Sequence, residues 1–76
     1  MSIQPNTKLQ YKEGRQRVSV VFHNEVDAGI YLTVHVQQAS RHWKIGDGYY
    51  HSHNESVTGC NDEVLEAFKK AVSANQ

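Results

Sequence analysis

The chain is expected to form an α+β domain: an antiparallel β-meander of four to five strands packed against one C-terminal α-helix. Three observations predict it. Residues 30–37 alternate apolar and polar without a break. Shorter alternating, β-branched runs flank them at turn-sized spacing. The one stretch with helical periodicity comes last, after Asn61. Strict period-two alternation marks a strand with one buried face.

Met1 to Asn6 carries the only proline and little pattern, and is expected to be a loose terminus. The sheet is expected over residues 7–53. Lys8–Lys12 alternates, and in Arg17–His23 the side chains of Val18, Val20 and Phe22 share a face. Ile30, Leu32, Val34 and Val36 face one way, and Tyr31, Thr33, His35 and Gln37 the other. Arg41–Ile45 and Tyr49–His53 continue the pattern less regularly. The helix is expected over 61–74. Asn61 is a good N-cap, and Asp62 and Glu63 place negative charge in the first turn, where the helix dipole favours it. Val64, Leu65, Phe68 and Val72 recur at helical spacing with Ala67 and Ala71 between them, and Cys60 is placed to pack on Leu65 as a staple. The expected core is Leu9, Tyr11, Val18, Val20, Phe22, Leu32, Val34, Val36, Trp43, Ile45, Tyr50, Leu65, Phe68 and Val72.

Turn chemistry sets the register, and register decides which side chains share a face. Gly14-Arg15 suits a two-residue type II′ turn, with Lys12 opposite Arg17, Tyr11 opposite Val18 and Leu9 opposite Val20. Across the longer Asn24–Gly29 connection, apolar matching sets His23 opposite Tyr31, Val20 opposite Val34 and Val18 opposite Val36. A two-residue reversal at Ala39-Ser40 places Trp43 by Val36 and Ile45 by Val34. Asp47-Gly48 is a strong type I′ hairpin signal. A turn there sets Ile45 opposite Tyr50, Lys44 opposite His51, Trp43 opposite Ser52 and His42 opposite His53, with Tyr50 and Ser52 inward. All five histidines then share the outer face with Lys8, Lys12, Arg17 and Lys44, and no carboxylate joins them.

Seventy-six residues make one small domain, 1–76, which buries only about 60% of its unfolded surface. A single cysteine excludes an internal disulfide and fits a reducing, cytoplasmic setting. No apolar run is long enough for a membrane span. The Asn54-Glu55-Ser56 glycosylation match has no secretory context. Eight Lys/Arg balance eight Asp/Glu, which argues against a strongly electrostatic nucleic-acid binder.

The outer-face histidines admit several chemistries. His51 and His53 on one strand, with His42 about 5 Å across at Cβ, would suit zinc, but no carboxylate is placed to orient the rings. Paired histidines near a lysine can cleave phosphodiesters, yet a flat sheet excludes water poorly. Cys60 is expected on the opposite side from the histidines, and Gly46-x-Gly48 lacks the rest of a phosphate loop. The expectation is therefore a non-enzymatic binding protein with no metal and no cofactor. Its binding residues would be Arg17, His23, Tyr31, His35, Gln37, His42, Lys44, Tyr49, His51 and His53. The first-choice partner is a protein with an acidic surface, the chain acting as adaptor or inhibitor of the kind that phages and mobile elements encode. A nucleic acid on the same face is the alternative, with Tyr31 and Tyr49 stacking on bases. The chain is expected to be a monomer or a homodimer, with β-augmentation open at the first or fifth strand. Binding to an anionic partner should tighten below about pH 6.5, as the histidines charge.

Overall fold

Alternation does most of the folding. A computed structural model describes residues 3–27 and 29–76. It has five strands followed by one helix: β1 (Thr7–Glu13), β2 (Gln16–Val26), β3 (Gly29–Gln38), β4 (Arg41–His51), β5 (Ser56–Thr58) and α1 (Asp62–Ala74). The strands form one antiparallel sheet in sequence order. Gly14, at φ +61°, turns β1 into β2 and sets Lys12 opposite Arg17, Tyr11 opposite Val18 and Leu9 opposite Val20, as expected. Val18 pairs with Val36 and Val20 with Val34, also as expected. The ladder becomes irregular between Phe22 and Glu25, so the expected His23–Tyr31 pair drops out of the register, and the two rings stand 5.3 Å apart. The Asn24–Gly29 connection includes Ala28, which lies outside the described residues. Gln38 pairs with Arg41, so Ala39-Ser40 is a two-residue reversal, with Ala39 at φ +55°.

The Asp47-Gly48 hairpin does not form. β4 runs straight through it, pairing Gly46 with Val34, Asp47 with Thr33, Gly48 with Leu32 and Tyr49 with Tyr31. The expected pairs Ile45–Tyr50, Lys44–His51, Trp43–Ser52 and His42–His53 are therefore absent. The glycines serve close approach instead of a turn. Both face the helix side, where a Cβ on Gly46 would stand 2.9 Å from Val64 Cγ2 and one on Gly48 2.9 Å from Cys60 Cβ. Because His35 pairs with Lys44 but Val34 with Gly46, Ile45 is the extra residue of a bulge, and does not pair with Val34. The reversal falls at residues 52–55, with Glu55 at φ +55° and the Asn54 side chain accepting from Ser56 N–H and Oγ–H. Ser52 is consequently exposed, and the sheet continues to Thr58.

The helix begins where expected. Asn61 Oδ1 accepts from Val64 N–H at 2.8 Å, and Asp62 and Glu63 occupy the first turn. From that start, Val64, Ala67, Phe68 and Ala71 fall at i, i+3, i+4 and i+7 and are buried. Leu65 lies about 100° round the helix from Val64 and is only half-buried, so Val64 takes the core place expected for it. Phe22, Tyr50 and Phe68 pack with centroids 5.6–6.3 Å apart over the fully buried Val20, Leu32 and Val34. Burying each such side chain contributes about 1.5–3 kcal/mol. Leu9, Tyr11, Trp43, Ile45 and Val72 form a half-buried margin. Ile3 is buried and Asn6 N–H donates to His23 C=O, so the expected loose terminus is tied down from residue 3. Met1 and Ser2 lie outside the described residues.

Candidate functional site

Helix α1 covers one face of the sheet. Among the described residues, nothing covers the other. Pleating dictates what that open face presents. Since Val18, Val20 and Phe22 point inward on β2, Arg17, Ser19, Val21 and His23 point outward. On β3 the outward set is Tyr31, Thr33, His35 and Gln37. On β4 it is His42 and Lys44 before the bulge, then Asp47, Tyr49 and His51 after it. One extra residue at Ile45 shifts the outward set from even to odd numbers.

Nine of the ten residues singled out from sequence thus lie on strands and share the open face. His53 is the exception, standing in the reversal beyond β4, with its ring 6.0 Å from that of His51. Two corrections follow from the straight course of β4. The face is not free of carboxylates, because Asp47 stands on it opposite Thr33. Nor do His42, His51 and His53 converge. His42 pairs with Gln37, nine residues from His51 on one strand, about 30 Å away. Among the described residues, no three His, Cys, Asp or Glu side chains are grouped closely enough to hold a metal ion.

The face has two unlike ends. At the β1–β2 turn, Lys12, Arg15, Arg17, Gln37 and Ala39 line a shallow basic groove. At the other end, His23, Asn24, Val26, Tyr31, Asp47 and Tyr49 line an open depression. There a row of rings crosses three strands: His23 to Tyr31 at 5.3 Å, and Tyr31 to Tyr49 at 5.5 Å. The Tyr31 hydroxyl donates to Asp47 Oδ2 at 2.9 Å, and the same oxygen lies 3.9 Å from Lys44 Nζ. Hydrogen bonding to that carboxylate raises the Tyr31 pKa, with smaller contributions from burial and the Asp47 charge. Val26 and Tyr49 are the large apolar side chains most exposed on the described surface, at 47% and 42%. Val26 was not legible as a face residue from alternation.

Between the two ends, Thr33 is buried beneath two histidines. Its Oγ1 lies 2.8 Å from His23 Nε2 and 3.0 Å from His35 Nε2. A hydroxyl has one proton, so it donates to one ring at most, and the other ring donates to it when both bonds are made. The His35 pKa is lowered by desolvation first, then by the charges of Lys44 and His23. His51 Nε2 pairs with Thr58 Oγ1 at 2.7 Å, tying β4 to β5. These hydroxyl partnerships account for three of the five histidines structurally. Cys60 is a free, half-buried thiol on the helix side of the sheet, apart from the open-face histidines.

Fold and face together define a small α+β domain with one side of its sheet left open. No protein-family model, curated protein or solved structure matches the chain. No helix among the described residues is long and apolar enough to cross a membrane.

Proposed function

We propose that the protein is a non-enzymatic binding module, an adaptor or inhibitor, that docks its open sheet face on an acidic surface of a protein partner. The observation that carries this is the charge balance of the two sides: Lys8, Lys12, Arg17 and Lys44 outnumber Asp47 on the uncovered face, while Asp62, Glu63 and Glu66 outnumber Lys69 and Lys70 on the helix behind it. Such an arrangement steers an anionic surface to one side of a neutral molecule. Size fits as well. Strands of 7, 11, 10, 11 and 3 residues, at about 3.3 Å per residue and about 4.8 Å apart, present roughly 650 Å², near the roughly 800 Å² per partner of an ordinary interface. Exposed Tyr49 and half-buried Tyr31 supply the aromatic anchors that interface energetics favour.

The ring row also favours a second reading, in which bases stack on Tyr31 and Tyr49. Asp47 stands beside those rings and repels phosphate, and the basic groove lies at the opposite end of the face. Those placements favour a protein.

The test is affinity capture from lysate after nuclease treatment, comparing the wild type with two charge reversals. Arg17→Glu alters the open face, and Lys69→Glu makes the same charge change on the helix. An acidic protein retained by wild type and Lys69→Glu but lost by Arg17→Glu is the expected result. Capture that disappears with nuclease would establish the nucleic-acid alternative, and equal capture by both variants would remove the face from the interaction.

A further inference from the structure

We infer that the depression between β2, β3 and β4 is a seat for one cationic side chain of the protein partner, with a guanidinium the best fit. This deepens the proposed function and rests on the open face being the docking surface. Several observations converge on a cation. The depression has a carboxylate, Asp47, with aromatic walls: Tyr49 is well exposed, and Tyr31 stands 5.5 Å from it at 53° between ring planes. A cation over a tyrosine face is drawn by the ring's quadrupole, and a carboxylate beside the ring adds direct charge attraction. The Tyr31 hydroxyl donates to Asp47 Oδ2 and so fixes the carboxylate's orientation. Val26, nearly half exposed, offers an apolar lip for the methylene stem of a long cationic side chain.

The chain's own Lys44 already reports the potential there. Its ammonium approaches Asp47 to 3.9 Å, with both side chains about half exposed, 48% and 49%. A pair that distant and that solvated is weak and readily displaced. An incoming guanidinium has a planar fork that matches a carboxylate and a flat face that stacks on a ring, and an ammonium has neither. Lys44 is therefore an internal competitor for the seat.

The position constrains the partner further. Tyr31 and Gln37 are six residues apart on β3, so the seat lies about 20 Å along the face from the basic groove. The partner surface should present an arginine at about that distance from its acidic patch.

The probe is N-acetyl-arginine amide, titrated at low salt and followed by NMR of backbone amides and tyrosine rings, with N-acetyl-citrulline amide as the uncharged isostere. Hexaglutamate is titrated in parallel. Arginine should move the signals of Val26, Tyr31, Asp47 and Tyr49, and citrulline should not. Asp47→Asn should weaken arginine binding about fivefold or more, and Lys44→Gln should strengthen it about twofold, as expected for loss of a charged partner and of a weak competing pair. Thermal melts of both variants guard against misfolding, and Tyr49→Ser, altering an exposed wall, supplies an independent loss of affinity. Equal response to arginine and citrulline, or unchanged affinity in Asp47→Asn, overturns the seat. If arginine leaves the depression silent while hexaglutamate still moves Lys12 and Arg17, the seat falls and the docking face stands. If both probes leave the face silent, the docking face falls with it.

Discussion

The two faces of this sheet are built from the same strands and obey opposite rules. Inward, Val18, Val20, Phe22, Leu32, Val34 and Tyr50 are at most 4% exposed, and backbone replaces side chain at Gly46 and Gly48 so that the helix and the Cys60 segment can approach. Outward, charge and hydroxyl partnerships dominate, and the side chains are mostly exposed or half-exposed. Thr33 is an outward residue whose burial matches the core, and two histidines cover it. A single period-two alternation therefore separates what holds the fold from what is free to meet a partner. Stability should respond steeply to inward changes and little to outward ones.

That contrast is testable, beginning with the largest expected effect. Phe22→Ala removes the ring that touches both Tyr50 and Phe68, and should cost about 3–5 kcal/mol. A domain of this size has only about 4–11 kcal/mol of stability in total, so urea titration should find the variant largely or wholly unfolded. Gly48→Ala comes next. Its new methyl would stand 2.9 Å from Cys60 Cβ and 3.1 Å from Thr58 O, the second a backbone atom that cannot swing away. Overpacking of this kind costs about 1–3 kcal/mol, visible as a lower urea midpoint. An unchanged midpoint would mean that β4 does not run straight beneath Cys60. Asn61→Ala removes the bond to Val64 N–H and should cost about 1 kcal/mol by the same titration.

The smallest effect belongs to the open face and depends on pH. Desolvation, Lys44 and His23 lower the His35 pKa in the folded state, so over the interval below about pH 6.5 the unfolded chain binds the proton more readily. Stability from His35 is then complete above that value and declines as pH falls through it toward the folded pKa. Thermal melts at pH 7.5 and pH 5.5, chosen to bracket roughly the free histidine pKa, should differ less in His35→Gln than in the wild type. An identical difference in both would detach His35 from the acid sensitivity.

The architecture was legible because alternation and capping are local signals. Residues 30–37 announce a strand on their own, Gly14 announces its turn, and Asn61 with two following acids announces a helix start. The course of β4 was not legible, because Gly46-Asp47-Gly48 carries two meanings with one composition. As a local sequence it is a turn. In tertiary context the glycines make room for Val64 and Cys60, residues twelve and more positions away. The placement of Tyr49 and His51 outward and Tyr50 inward came out correctly through the wrong device. A two-residue hairpin and a one-residue bulge both shift the alternation by one, so they agree on those residues. They part company at Asp47, which the hairpin would have placed in a turn and the bulge delivers to the face, and at Gly46 and Gly48, which the hairpin would have put at the reversal and the straight strand turns toward the helix. A clue was present in the common parity of Gly46, Gly48 and Tyr50, which belongs to one continuous strand with a small-residue channel on its inner side.

The last helical turn reaches back to the first strand. Asn75 donates through Nδ2 to Gln10 O on β1 and to Ala71 O, and Lys70 pairs with Glu13. Gln10 O lies on the border of the sheet, where another chain could dock a sixth strand. With that carbonyl engaged, the helix acts as a guard on the rim, and Lys8 and Lys12 beside it discourage a second copy. Loss of the helix's grip would do more than loosen the core. It would bare an adhesive seam, so colloidal behaviour of this protein should track the docking of its final turn.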